Sequence, residues 1–95
     1  RIDAARAGIE AVVEQVVERK EDLLITLKSV ERGPSVLILV TRAAMREKGL
    51  TIEDIEEAPT AVLSRDRGPA GETEVSFVSA RLQSVVVLTA AVRRS

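Results

Sequence analysis

Val36-Leu37-Ile38-Leu39-Val40 is an unbroken apolar run, bounded by Gly33-Pro34 on one side and Thr41-Arg42 on the other. Such a run is shorter than a core helix and far shorter than the roughly 20 residues that cross a bilayer, and its Val and Ile content suits a pleated surface. It reads as a buried strand, and what covers its two faces decides the fold. Just before it, Leu23, Ile25 and Leu27 alternate with Leu24, Thr26 and Lys28, the period of a half-exposed strand. Glu31-Arg32-Gly33-Pro34-Ser35 supplies turn chemistry between the two, because Gly admits positive φ and Pro fixes its own. The strands are expected as antiparallel neighbours in a hairpin.

Nearer the N-terminus, Ile2, Ala5, Ile9, Val12, Val13 and Val16 recur at three- and four-residue steps, which predicts an amphipathic helix from about Ile2 to Lys20. Val12, Val13, Val16 and Val17 are mediocre helix formers, so a strand over Ala11 to Val17 is the competing reading. Glu10, Glu14, Glu18 and Asp22 fall four apart and read as a solvated acidic ridge, with a docking edge for a basic partner or a cation as the alternative.

Toward the C-terminus, Arg42 to Lys48 reads as helix with Gly49 as a left-handed stop. Thr51-Ile52-Glu53-Asp54 has the form of a capping arrangement for a second short helix that Pro59 closes off, although Leu50, Ile52 and Ile55 also fit a short irregular strand. Thr60 to Arg65 reads as a third strand, and Asp66-Arg67-Gly68-Pro69-Ala70-Gly71-Glu72 as an exposed, mobile loop. Val75, Phe77 and Ser79 alternate with Ser76, Val78 and Ala80 in strand spacing. Val85 to Val92 is apolar on both faces and reads as a last strand, with helix from Leu88 to Arg94 as the alternative.

An acid-Arg-Gly-Pro turn after a Leu-containing strand occurs at Leu27 to Pro34 and again, one residue tighter, at Leu63 to Pro69. Each follows a segment read as helical and precedes a strand, which predicts two αββ units. The expected fold is therefore α+β: an antiparallel sheet of four to five strands with two helices packed on one face, a ferredoxin-like or permuted ferredoxin-like sandwich. In architecture alone this resembles the small periplasmic domains of pilus and type II secretion inner-membrane platforms, which implies a dimerising assembly module.

Composition narrows the chemistry. At 95 residues the chain fits one domain, with an aliphatic core in which Phe77 is the sole aromatic residue and Met45 the sole sulfur. Without Cys or His it lacks thiolate nucleophiles, disulfides and the commonest general base and metal ligand. A formal net charge of −1 gives no long-range field toward nucleic acid or membrane. No spanning segment or signal peptide is visible, and a start at Arg1 rather than Met fits a processed form or an excised domain.

No motif for catalysis emerges. Lys20, Lys28 and Lys48 sit among charged neighbours rather than beside a serine motif, and Glu53-Asp54 and Glu56-Glu57 have the spacing of a charged helix surface. Gly33, Gly49, Gly68 and Gly71 match neither a dinucleotide fingerprint nor a P-loop, so the reading is non-enzymatic and without cofactor or metal. Arg65, Arg67, Arg81, Arg93 and Arg94 are candidate phosphate contacts, since residues 75–95 carry no acidic side chain. The segment from Ala43 to Ser64 faintly resembles a helix-turn-helix, but Glu53, Asp54, Glu56 and Glu57 would face phosphates and Pro59 breaks the second helix.

The leading expectation is a protein-interaction or assembly domain. The two fully apolar strands need more cover than two short helices supply, and self-association of the sheet, giving a homo-oligomer, is the simplest cover. Leu37, Leu39, Val86 and Leu88 are the expected interface. Cover by a small apolar ligand, as in a regulatory sensing domain, is the remaining alternative.

Overall fold

In the computed structural model, described for residues 8–31 and 33–93, six antiparallel strands close into a barrel in the order β1-β2-β3-β6-β5-β4. The strands are β1 (Gly8–Glu18), β2 (Asp22–Ser29), β3 (Val36–Thr41), β4 (Ala61–Ser64), β5 (Glu72–Ser79) and β6 (Ser84–Arg93). Between β3 and β4 lie the two helices α1 (Arg42–Lys48) and α2 (Ile52–Glu57). The chain thus forms two three-stranded meanders joined by a helical connection, and the seams β1–β4 and β3–β6 close the ring.

This overturns the open ferredoxin-like α+β sandwich and its αββ-αββ order, and with them the architectural resemblance to secretion-platform domains. The error starts in β1, read as the first helix. Its part from Gly8 onward is a strand that pairs with β2 on one side and β4 on the other; the helix predicted over Ile2 to Ala7 lies outside the described residues. The β1–β2 register shifts between Val13 and Gln15, a bulge that adds one residue and flips the alternation. Ile9, Ala11 and Val13 turn inward before the bulge and Val16 after it, so Ile9, Val13 and Val16 fall at helix-like steps of four and three. The repeated acid-Arg-Gly-Pro turn also loses its meaning, because it falls between β2 and β3 in one meander and between β4 and β5 in the other.

The β2–β3 hairpin stands as expected, with Leu27 opposite Val36 and Asp22 opposite Thr41. Inward residues fill the barrel: Leu23, Ile25 and Leu27 from β2, Ile38 and Val40 from β3, Val75 and Phe77 from β5, and Val86, Leu88 and Ala90 from β6 are all buried. One level of the interior explains the sole aromatic residue. Ala11, Ala61, Phe77 and Val86 are successive register partners, so two alanines share a level with the one large ring, as the narrow bore of a small barrel requires.

The helices plug one end. α1 packs on β6, β3 and β2, α2 packs on β1 and β5, and Met45, Leu50 and Ile55 are buried beneath the strands. Thr41 Oγ1 accepts from the Ala44 N–H at 3.1 Å, and the stop at Gly49 has φ 69°, with Leu50 N–H donating to Met45 O at 3.0 Å. α2 begins with a reciprocal capping box: Asp54 N–H donates to Thr51 Oγ1 at 3.2 Å and Thr51 N–H to Asp54 Oδ2 at 2.9 Å.

Candidate functional site

The outside of the β4–β5–β6 meander carries a group of exposed valines, and Val12 and Val17 of β1 are exposed to a similar degree. Val62 is 40% exposed, Val78 43%, Val85 61% and Val87 37%. Register places them together: Val62 pairs with Ser76 and Ser76 with Val87, while Val78 pairs with Val85 two residues further on. Leu82, in the turn that follows β5, is also exposed. Ser76 is the one polar side chain between these valines, and acidic residues border them: Glu10 opposite Val62, and Glu74, which lines a cleft with Val87.

The expected interface residues are divided by this arrangement. Leu37 and Leu39 do face outward on β3, half-buried, with Leu39 in register between Leu24 of β2 and Ala91 of β6. Val86 and Leu88 face inward and are sealed in the core, so any outer contact of β6 belongs to Val85 and Val87. The phase of β6 was readable: Thr89 and Arg93 share the parity of Val85 and Val87, and two polar residues on one parity mark the solvent side.

The candidate phosphate contacts are not gathered. Arg81 belongs to the β5–β6 turn and grips the carboxylate of Asp54, Nε to Oδ1 at 3.1 Å and Nη2 to Oδ2 at 2.7 Å, while Nη2 also donates to Gly49 O at 2.6 Å. It ties the end of α1 and the start of α2 to the hairpin, a structural role. The pair with Arg81 and then the Thr51 backbone N–H hold the Asp54 carboxyl well below the usual carboxylate range. Arg67 folds back onto its own loop, donating to Ser64 O at 2.9 Å beside the Thr73 hydroxyl, which reaches Ser64 O at 3.0 Å and Asp66 O at 2.9 Å. Arg65 is exposed and lines the cavity opposite the helices, Arg93 is exposed at the end of β6 opposite Leu37, and Arg94 lies outside the described residues.

Among the described residues, the end opposite the helices forms a mouth. Ile9, Val36 and Val62 with Glu10, Glu31 and Arg65 are among the residues lining a cavity of about 550 Å³ there. Among the described residues no three Asp or Glu side chains converge as metal ligands, and no helix is long and apolar enough to cross a membrane. Among the described residues, the fold and surface thus define a small closed barrel with two helices at one end, a cavity at the other and an apolar valine patch on its flank. Comparison with protein-family models, with curated proteins and with solved structures finds no match to this chain.

Proposed function

We propose that this domain is a non-enzymatic interaction or assembly module that self-associates through the outer face of β5 and β6, extended by Val62 of β4. The observation that carries this reading is the register cluster of Val62, Val78, Val85 and Val87 around Ser76, with charge at its border but none between its members. Depletion of charge is the mark of interface centres, whereas a solvated barrel flank ordinarily alternates to polar residues. β4, β5 and β6 are each paired on both sides within the closed ring, so association at this face proceeds by side-chain packing.

Burial at roughly 25 cal/mol per Å² favours the contact, and lost rigid-body freedom offsets much of the gain. Sedimentation equilibrium over a hundred-fold concentration range tests the proposal. The native chain is expected to shift from monomer to dimer mass, and Val85→Lys to stay monomeric with an unchanged circular dichroism spectrum. A native chain of monomer mass throughout removes the proposal.

The mouth cavity favours a second reading, a small-ligand-sensing domain, because its volume lies within the range of ligand sites and its lining mixes apolar and charged groups. Thermal-shift screening of small organic ions and apolar compounds separates the two: stabilisation abolished by Val36→Glu would favour sensing.

A further inference from the structure

We infer that the edge of β6 from Ser84 to Ala90 is a binding site for an extended peptide segment with basic side chains, which adds to it as a further strand. The site uses the main chain of β6 rather than its outer valines, and so goes beyond self-association.

The seam that closes the ring is short. Among the described residues β6 meets β3 only at its far end, where Ala91, Val92 and Arg93 are in register with Leu39, Ile38 and Leu37. On its other side β5 pairs with it all the way from Ala91 back to Ser84. Val40 and Thr41, which would continue the β3 seam, have no register partner on β6, and the chain leaves there into α1. In an antiparallel ladder successive residues direct their N–H and C=O groups to opposite sides, so alternate residues between Ser84 and Ala90 present both groups away from β5. Among the described residues no backbone hydrogen bond takes these groups up.

α1 packs on β6 without filling this edge. A cleft of about 430 Å³ is lined by Val87, Leu88 and Thr89 of β6, by Ala44, Glu47 and Lys48 of α1, and by Glu74 of β5. Side chains alternate across a strand, and that of Leu88 is sealed in the core at 1% exposure, so a cleft that touches three consecutive residues runs along the main chain. A row of alternating donors and acceptors is matched by another extended backbone, which is what selects the occupant. Its side chains are set by the walls. The carboxylates of Glu47 and Glu74 outnumber the ammonium of Lys48, and none of the three is in an ion pair with a described residue, which favours Lys or Arg on the added strand beside an apolar neighbour for Val87.

Amide hydrogen exchange in the full chain, followed by NMR, tests the edge first. The amides from Val85 to Ala90 are expected to fall into two alternating sets, one protected by β5 and one exchanging fast; uniform protection overturns the inference, because the edge is then already filled. A synthetic peptide of alternating Val and Arg is the probe for the occupant. It is expected to protect the fast set and to shift the amides of residues 44–48, whereas the same peptide methylated on every backbone nitrogen is expected not to bind. A peptide of alternating Val and Glu should bind about ten-fold more weakly, and so should the Val and Arg peptide to the chain carrying Glu47→Lys and Glu74→Lys. Absence of binding, equal binding of the methylated peptide, or protection confined to other strands overturns strand addition, and equal binding of the Val and Glu peptide overturns the basic partner. Val78→Lys, monomeric on the self-association reading, should bind the probe as the native chain does, so that failure of one proposal leaves the other readable.

Discussion

On β5 and β6, neighbouring residues have opposite surroundings: Phe77, Val86 and Leu88 are sealed inside the barrel, while Val78, Val85 and Val87, each next in sequence to one of them, stand at the surface. Residue type does not separate the two sets, for Val75 is fully buried and Val85 is 61% exposed. Parity along the strand separates them, together with closure of the ring, which turns one face of every strand into core and denies cover to the other. The inner set accounts for stability and the outer set is free to serve contact. That division makes opposite demands on substitutions only one residue apart.

The largest effect is expected inside. Phe77→Ala removes the one ring from a level that Ala11 and Ala61 cannot refill, and should cost about 3–5 kcal/mol in denaturant unfolding. A loss below about 1 kcal/mol would mean that the interior is not packed around this ring. Next comes the polar staple at the plugged end. Asp54→Ala breaks both the capping box and the grip of Arg81, and should cost about 2 kcal/mol.

The same group sets an acid response. Its folded pKa lies below the ordinary carboxylate value of 3.8, so its contribution is fully present above that value and is lost as pH falls below it. Asp54→Asn should therefore flatten the decline in stability below about pH 4 and leave the profile near neutrality level, as chemical denaturation at stepped pH would show. Gly49→Ala should cost about 1 kcal/mol, because at φ 69° the added Cβ meets no atom within 4 Å and the penalty is conformational alone. Smallest is the outer set: Val85→Lys should change stability by under about 0.5 kcal/mol while removing association. A large loss of stability there would dissolve the distinction between the two faces.

Much of the local structure was legible in the sequence. The β2–β3 hairpin, the caps at Gly49 and Thr51, and the later strands follow from period, turn chemistry and capping residues, all of which act over a few neighbours. The architecture was not, and β1 is the reason. A bulge at Glu14 placed Ile9, Val13 and Val16 on one face at helical steps, and only pairing with β2 and β4 reveals the extra residue. Misreading that strand opens the ring, and an open sheet needs helices or a partner over its faces, which is how Val86 and Leu88 came to be expected at an interface. The candidate site suffered from the same step: the strand from Val85 to Val92 has apolar residues on both parities, and its phase rests on Thr89 and Arg93 alone. Arg81 shows a further limit, since its tie to Asp54 spans 27 residues and nothing local announces it.

The most direct test of the division between inner and outer faces follows backbone amide chemical shifts of the native chain as it is diluted. Concentration-dependent shifts are expected at Val62, Ser76, Val78, Val85 and Val87, with Leu23, Ile25 and Ile38 unmoved. Shifts confined to Leu24, Leu37 and Leu39, or a spectrum that does not change on dilution, would contradict the account.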